Sequence, residues 1–145
     1  MPNENENAAT PSEAAKFFER EITTHHTNAV NRCITLNTDA PNPQNGNAAH
    51  RYVMRIHPGP DRPQTETLVQ ALFFQNGPVG EVGCNGVTNE VLLAIVIDRL
   101  QGFQSSKWAC AENQVALDKC KSALAQLEQR TRGREARGVE GTHTV

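Results

Sequence analysis

The chain has no apolar run longer than the seven residues from Val91 to Ile97, against the roughly 20 needed to cross a bilayer. It also lacks a basic-then-apolar opening segment, so a soluble protein of the cytosol, without a membrane partner, is expected. A positive excess is missing too. Fourteen Lys and Arg stand against 16 Asp and Glu, for a formal charge of −2 and a pI near 6.2. Non-specific binders of duplex DNA carry a strong positive charge, so that class is set aside; Arg130, Arg132, Arg134 and Arg137 still make a local basic cluster.

The groups that catalysis or metal binding would need are scarce as well. Cys33, Cys84, Cys110 and Cys120 show no C-x-x-C spacing, and buried, reduced thiols are expected rather than zinc ligands or disulfides. His25 and His26 are adjacent and would not share a helix face, so a solvated pair is expected in place of a metal site. In the C-terminal half no Ser/His/Asp set, carboxylate cluster or metal spacing occurs, and His143 is its only histidine. Neither catalytic residues nor a cofactor are expected there.

What is present fits one compact domain of 145 residues with 37% hydrophobic content, mean hydropathy −0.56, and tails. Residues 1–12 are rich in Asn, Glu and Pro and predict a disordered tail. Ser12 can cap a helix starting near Glu13, with Ala14, Ala15, Phe17, Phe18 and Ile22 as its apolar stripe. Residues 32–38 and 51–57 alternate through Ile34, Leu36, Tyr52, Met54 and Ile56, which predicts an antiparallel pair around a Pro-, Asn- and Gly-rich loop at 39–47. After a turn at 58–63, residues 65–75 read as a strand covered on both faces. Glycines 77, 80, 83 and 86 then precede a helix. The place suits anion binding, but there is no Gly-Lys-Ser/Thr or G-x-G-x-x-G, so a mobile connector is the plainer reading.

Residues 85–137 predict a helical hairpin. Thr88 caps its first helix, Glu90 suits the positive end of the helix dipole, and Gly102 is the expected stop. An all-round apolar helix of this kind needs cover on most sides, from a sheet on one side and the second helix, or another subunit, on the other. Residues 104–108 form the joint, where Ser105 or Ser106 is the expected cap of the second helix and Trp108 an anchor that could also stack on a base. Residues 138–145 are a tail, frayed in a monomer or folded over a neighbour's pocket in an oligomer. The fold class is thus α+β: an N-terminal helix and small antiparallel sheet over 13–84, then the antiparallel helical hairpin.

On the second helix one heptad position holds Cys110, Leu117, Leu124 and Thr131, the next Asn113, Cys120, Leu127 and Arg134, and a flank Ala109, Ala116, Ala123 and Arg130. The middle of this face is apolar and its ends are polar. Buried amide or guanidinium groups without partners are costly, so either the ends protrude into solvent or something polar docks there. Asn113 and Arg130 lie seventeen residues apart, about 25 Å on one helix, too far to hold one small ligand. If they act together they come from two chains. Antiparallel pairing across a two-fold axis would set Phe103 and Asn113 of one copy beside Arg130 and Arg134 of the other.

The segments Phe74-Gln75-Asn76-Gly77-Pro78, Asn85-Gly86-Val87-Thr88-Asn89-Glu90, Ile95-Val96-Ile97-Asp98-Arg99-Leu100 with Phe103-Gln104, and Arg130-Thr131 with Arg134 to Thr142 resemble the phage anti-Thoeris sponge family. That family shares its helical hairpin with the anti-CBASS cyclic-oligonucleotide sponges. The likeness runs from Leu72 onward; the N-terminal half shares only a strand-rich character. The resemblance implies a non-enzymatic protein, at work in the cytoplasm of the infected bacterial host, that sequesters a cyclic ADP-ribose isomer made by a TIR-domain enzyme. It also implies the ligand-binding residues: Phe103 stacking on adenine, Asn113 bonding base or ribose, and Arg130 and Arg134 holding the pyrophosphate. Family members form dimers, or hexamers as trimers of dimers. Some hold cyclic di- or trinucleotides at a separate site, for which Arg55 and Arg99 are candidates here, although salt bridges would explain both equally. A small cyclic-nucleotide hydrolase and a structural adaptor that merely dimerises are the alternative readings.

Overall fold

A computed structural model describes residues 20–59 and 66–145. The expected tail at 1–12, the start of the N-terminal helix and most of the turn at 58–63 lie outside the described residues. The fold is α+β and divides into two compact units, one ending at Phe73 and one beginning at Phe74.

The first unit is an antiparallel sheet of β1 (Arg20–Ile22), β2 (Ile34–Thr38), β3 (Arg51–Ile56) and β4 (Leu68–Phe73), in that order, with a one-turn helix α1 (Ala29–Arg32) before β2. The alternation read in the sequence sets the register. Ile34 lies opposite Ile56 and Leu36 opposite Met54, so β-branched and long apolar side chains pair across the strands on one face. Val53 and Ala49 are buried, and so is Thr38, whose hydroxyl donates to the Arg51 carbonyl at 3.0 Å.

Three expectations for this unit need correction. Residues 20–22 are strand rather than helix, because Ile22 finds an apolar cross-strand partner in Leu36. His25 and His26 are half-buried, not solvated: both Nε2 atoms donate to the Ile34 carbonyl, at 2.8 and 3.1 Å, and the rings meet edge to face. β4 is shorter than expected and not covered on both faces. It is an edge strand with Leu68 60%, Val69 60% and Phe73 53% exposed.

The second unit contains a one-turn helix α2 (Val79–Val82) and the expected hairpin, α3 (Asn89–Gln104) and α4 (Ala111–Ala136). The loop before α3 is closed by two side-chain amides. Asn85 pairs with the backbone of Asn76 on both sides, accepting from its N–H and donating to its carbonyl, each at 2.8 Å. Gln75 accepts from the Asn85 N–H and donates to the carbonyls of Gly77 and Gly83. Gly86 lies where Phe74 and Val87 form a backbone bridge, and a Cβ on it would come 2.3 Å from the Phe74 carbonyl carbon. Gly77 and Gly83 turn with positive φ. The glycine-rich stretch is therefore a tightly bonded connector rather than the mobile one expected, because the Gln75 and Asn85 amides tie it to backbone.

Thr88 caps α3 as expected, its hydroxyl accepting from the Val91 N–H. Gly102 does not stop it. The helix continues to Gln104, and the Ser105 and Ser106 hydroxyls donate back to the carbonyls of Gly102 and Phe103. Those serines finish α3 instead of capping α4. The cap of α4 is Cys110, whose Sγ accepts from the Asn113 N–H, while the Gln104 side chain accepts from the Cys110 N–H and donates to Gln114. Cys84 and Cys110 are exposed, contrary to the expectation of buried thiols, whereas Cys33 and Cys120 are half-buried.

The hairpin seam follows the heptad. Asn113, Leu117, Cys120, Leu124, Leu127, Thr131 and Arg134 are the shielded line on α4, and Leu93, Ile97 and Leu100 answer on α3. On α3 of this single chain Val91, Ile95 and Val96 stay 45%, 52% and 43% exposed.

Two glycine substitutions test this account. Gly86→Ala should cost about 2–3 kcal/mol in denaturant unfolding, because backbone must move to admit the methyl group. Gly102→Ala meets nothing within 4 Å and should stabilise by about 0.5–1 kcal/mol through helix propensity. Equal midpoints for the two variants would contradict the assignment.

Candidate functional site

The continuous α4 fixes where the expected ligand residues stand. Asn113 lies in its first turn and Arg130 and Arg134 in its last turns, so one helix carries an amide end and a guanidinium end about 25 Å apart. Phe103, in the last turn of α3, belongs to the amide end. Within one chain the four residues fall into two groups, Phe103 with Asn113 and Arg130 with Arg134.

At the joint, Arg99, Gly102, Phe103, Ser106 and Trp108 line an open cleft of about 330 Å³. The Arg99 guanidinium lies over the Phe103 ring, 5.8 Å from its centroid, and the Lys107 ammonium lies 5.0 Å from the Trp108 ring. Both aromatic rings are well exposed, Phe103 by 41% and Trp108 by 65%. Aromatic faces accompanied by cations suit a planar base attached to phosphate.

At the other end Arg130 is exposed, and Arg134 is the centre of a clamp. The Arg134 Nε donates to Glu140 at 2.8 Å, Nη1 to the Thr144 carbonyl at 2.9 Å, and Nη2 to the carbonyls of Val139 and Thr142 at 2.9 and 3.0 Å. Four of its five N–H donors are thus engaged, and the side chain is only 12% exposed. The C-terminus of α4 closes with Gly138 in the left-handed region, the Gly138 N–H bonding to Glu135 and the Val139 N–H to Arg134, the two bonds of a Schellman ending. The tail is then tied to α2, where the Gly80 N–H donates to the Gly141 carbonyl at 3.2 Å and His143 meets Glu81 at 3.4 Å. The tail of this single chain is therefore ordered by Arg134, not frayed.

Sequence reasoning missed the joint's Gln104 and the Arg134 partner Glu140. Each acts through hydrogen bonds to backbone or across a turn, and neither breaks the apolar pattern. Among the described residues no group of three or more His, Cys, Asp or Glu is placed to hold a metal, and no helix is long and apolar enough to cross a membrane.

The hairpin also decides the relationship to known proteins. Residues 69–132 match the Acb2/Tad1 hairpin domain, a stretch that includes Phe103, Asn113 and Arg130 and ends just before Arg134. Over 70 residues the chain is 59% identical to Thoeris anti-defense 1 of Bacillus phage SBSphiJ7. That alignment takes in 48% of this chain and 49% of the phage protein, so the chain spans about half the length of the curated relative it matches. The family met in the sequence motifs is the family matched here. Residues 69–132 thus match the Acb2/Tad1 hairpin domain, and over this half the chain is similar to a phage anti-Thoeris protein.

Proposed function

We propose that this protein is an anti-Thoeris sponge: in the cytoplasm of an infected bacterium it binds a cyclic ADP-ribose isomer and withholds it, uncleaved, from a TIR-based immune system. The observation that carries the reading is the separation of two complementary ends on the matched hairpin. Phe103 and Asn113 offer stacking and base or ribose hydrogen bonds, and Arg130 and Arg134 offer charge-assisted bonds to a pyrophosphate. A single chain holds these ends about 25 Å apart on α4, and a two-fold antiparallel pair joins them twice. The exposed Val91, Ile95 and Val96 on α3, and Val115 on α4, give apolar surface for a second copy to cover. Hexamers would follow from further association of such pairs, and a separate site for cyclic di- or trinucleotides would lie between them.

Arg134 has two tasks in this scheme. Its clamp holds the tail beside the guanidinium end, and a ligand phosphate would compete with, or add to, the carbonyls now bound to it.

Calorimetric titration with a panel of cyclic nucleotides that includes cyclic ADP-ribose isomers tests the reading. Wild type should take up one isomer with two sites per pair of chains. Phe103→Ala, Asn113→Ala and Arg130→Ala should each weaken uptake by about 10- to 100-fold, the scale of a lost stacking contact or charge-assisted bond. Ligand boiled off the complex should be chemically intact; recovered hydrolysis product would mean an enzyme. A wild type that takes up none of the panel, or variants that bind as well as it does, would leave only a dimerising adaptor.

Arg134→Ala should differ in kind from Arg130→Ala. It should lose ligand and also release residues 139–145, seen as faster amide exchange there, while Arg130→Ala keeps the tail protected. Unchanged exchange in Arg134→Ala would contradict the clamp.

A further inference from the structure

Gly102 stands in the last turn of α3, at a position where an alanine would suit the helix better. No backbone requirement explains it, since its φ is not positive and a Cβ there would meet no atom within 4 Å. The space beside it is the cleft shared by Arg99, Phe103, Ser106 and Trp108, whose volume of about 330 Å³ lies at the lower end of the span for small-molecule sites, about 300–1,000 Å³. Arg99 lies over the Phe103 ring, and that ring stays 41% exposed. Trp108 supplies a second aromatic surface in the same cleft and is the chain's only tryptophan.

We propose that this cleft seats the base of the cyclic nucleotide, with Gly102 as its open floor, Trp108 as a second stacking surface and Arg99 as a positive charge at its rim. The inference rests on the sponge reading and extends its contacts beyond Phe103 and Asn113. Trp108 and Arg99 are binding residues in this scheme, and the glycine serves by having no side chain. A residue with a side chain at 102 would fill the seat while leaving the helix intact.

The test uses cyclic ADP-ribose isomers as probes, followed by calorimetry and by Trp108 fluorescence in the same samples. Trp108 emission should change on titration and saturate at the same midpoint as the heat. Gly102→Leu should lose uptake by at least about 100-fold with helix content and unfolding midpoint at or above those of wild type, because leucine favours the helix and projects into the cleft. Trp108→Ala should weaken binding about tenfold, the scale of one lost base-stacking contact, and Trp108→Phe should restore most of it. Arg99→Gln should weaken binding several-fold and flatten its salt dependence. Heat of binding with unaltered Trp108 emission, together with Gly102→Leu binding as tightly as wild type, would overturn the cleft assignment while leaving the sponge standing. If wild type gives no heat with any isomer, the sponge reading falls and the cleft assignment falls with it.

Discussion

The 26 unbroken residues of α4 are the constraint on which the functional account rests. A rigid helix sets the distance between its two polar ends, and at 1.5 Å per residue the amide end and the guanidinium end cannot meet around one nucleotide. The polar ends are shielded in different ways. Asn113 is half-buried on the hairpin seam, and Arg134 is wrapped by the carbonyls of its own tail. A longer loop or a kink in α4 would have let one chain fold its own arginines back; instead the seam of Leu117, Leu124 and Leu127 keeps the helix straight along α3. The exposed apolar residues Val91, Ile95 and Val96 are the surface that the proposed pairing would cover.

Around this hairpin the irregular segments are held by side chains that imitate backbone. Asn85 pairs with Asn76 as a neighbouring strand would, and Gln75 spans the loop to Gly83, so the connector enters α3 at a defined angle without a strand of its own. Gln104 does the same at the joint, and Arg134 does it for the tail. Each device joins residues within a dozen positions of one another. Such local ties order loops at small cost in chain entropy, leaving the two ends of the hairpin presented in fixed positions.

Much of the fold could be read in the chain because it depends on periodicity. The alternation through Ile34, Leu36, Met54 and Ile56 produced the β2–β3 register, and the heptad produced the seam from Asn113 to Arg134. Thr88 was legible as a cap because its hydroxyl stands three residues before the amide it binds. What failed depended on competition between local signals. Gly102 reads as a stop, yet nothing crowds it and the helix runs past it; Ser105 and Ser106 read as caps, yet their hydroxyls find carbonyls of the preceding turn first. Ile22 was drawn into a strand by Leu36, a partner fourteen residues away that no helical window includes. The candidate site was visible as polar interruptions of an apolar face, which marks Asn113, Arg130 and Arg134. The Gly102–Trp108 cleft was not, because a cavity leaves no periodic trace in a sequence.

The central claim is that a complete pocket takes its aromatic and amide groups from one chain and its arginines from another, and subunit mixing addresses it directly. Phe103→Ala/Asn113→Ala chains and Arg130→Ala chains, each weakened in binding alone, are unfolded together, refolded as an equal mixture and titrated with the cyclic ADP-ribose isomer that wild type takes up. In a mixed pair one pocket combines both defects and the other combines neither, so about a quarter of all pockets should regain wild-type affinity. A mixture that exchanges subunits but binds no better than its two components would contradict the shared pocket.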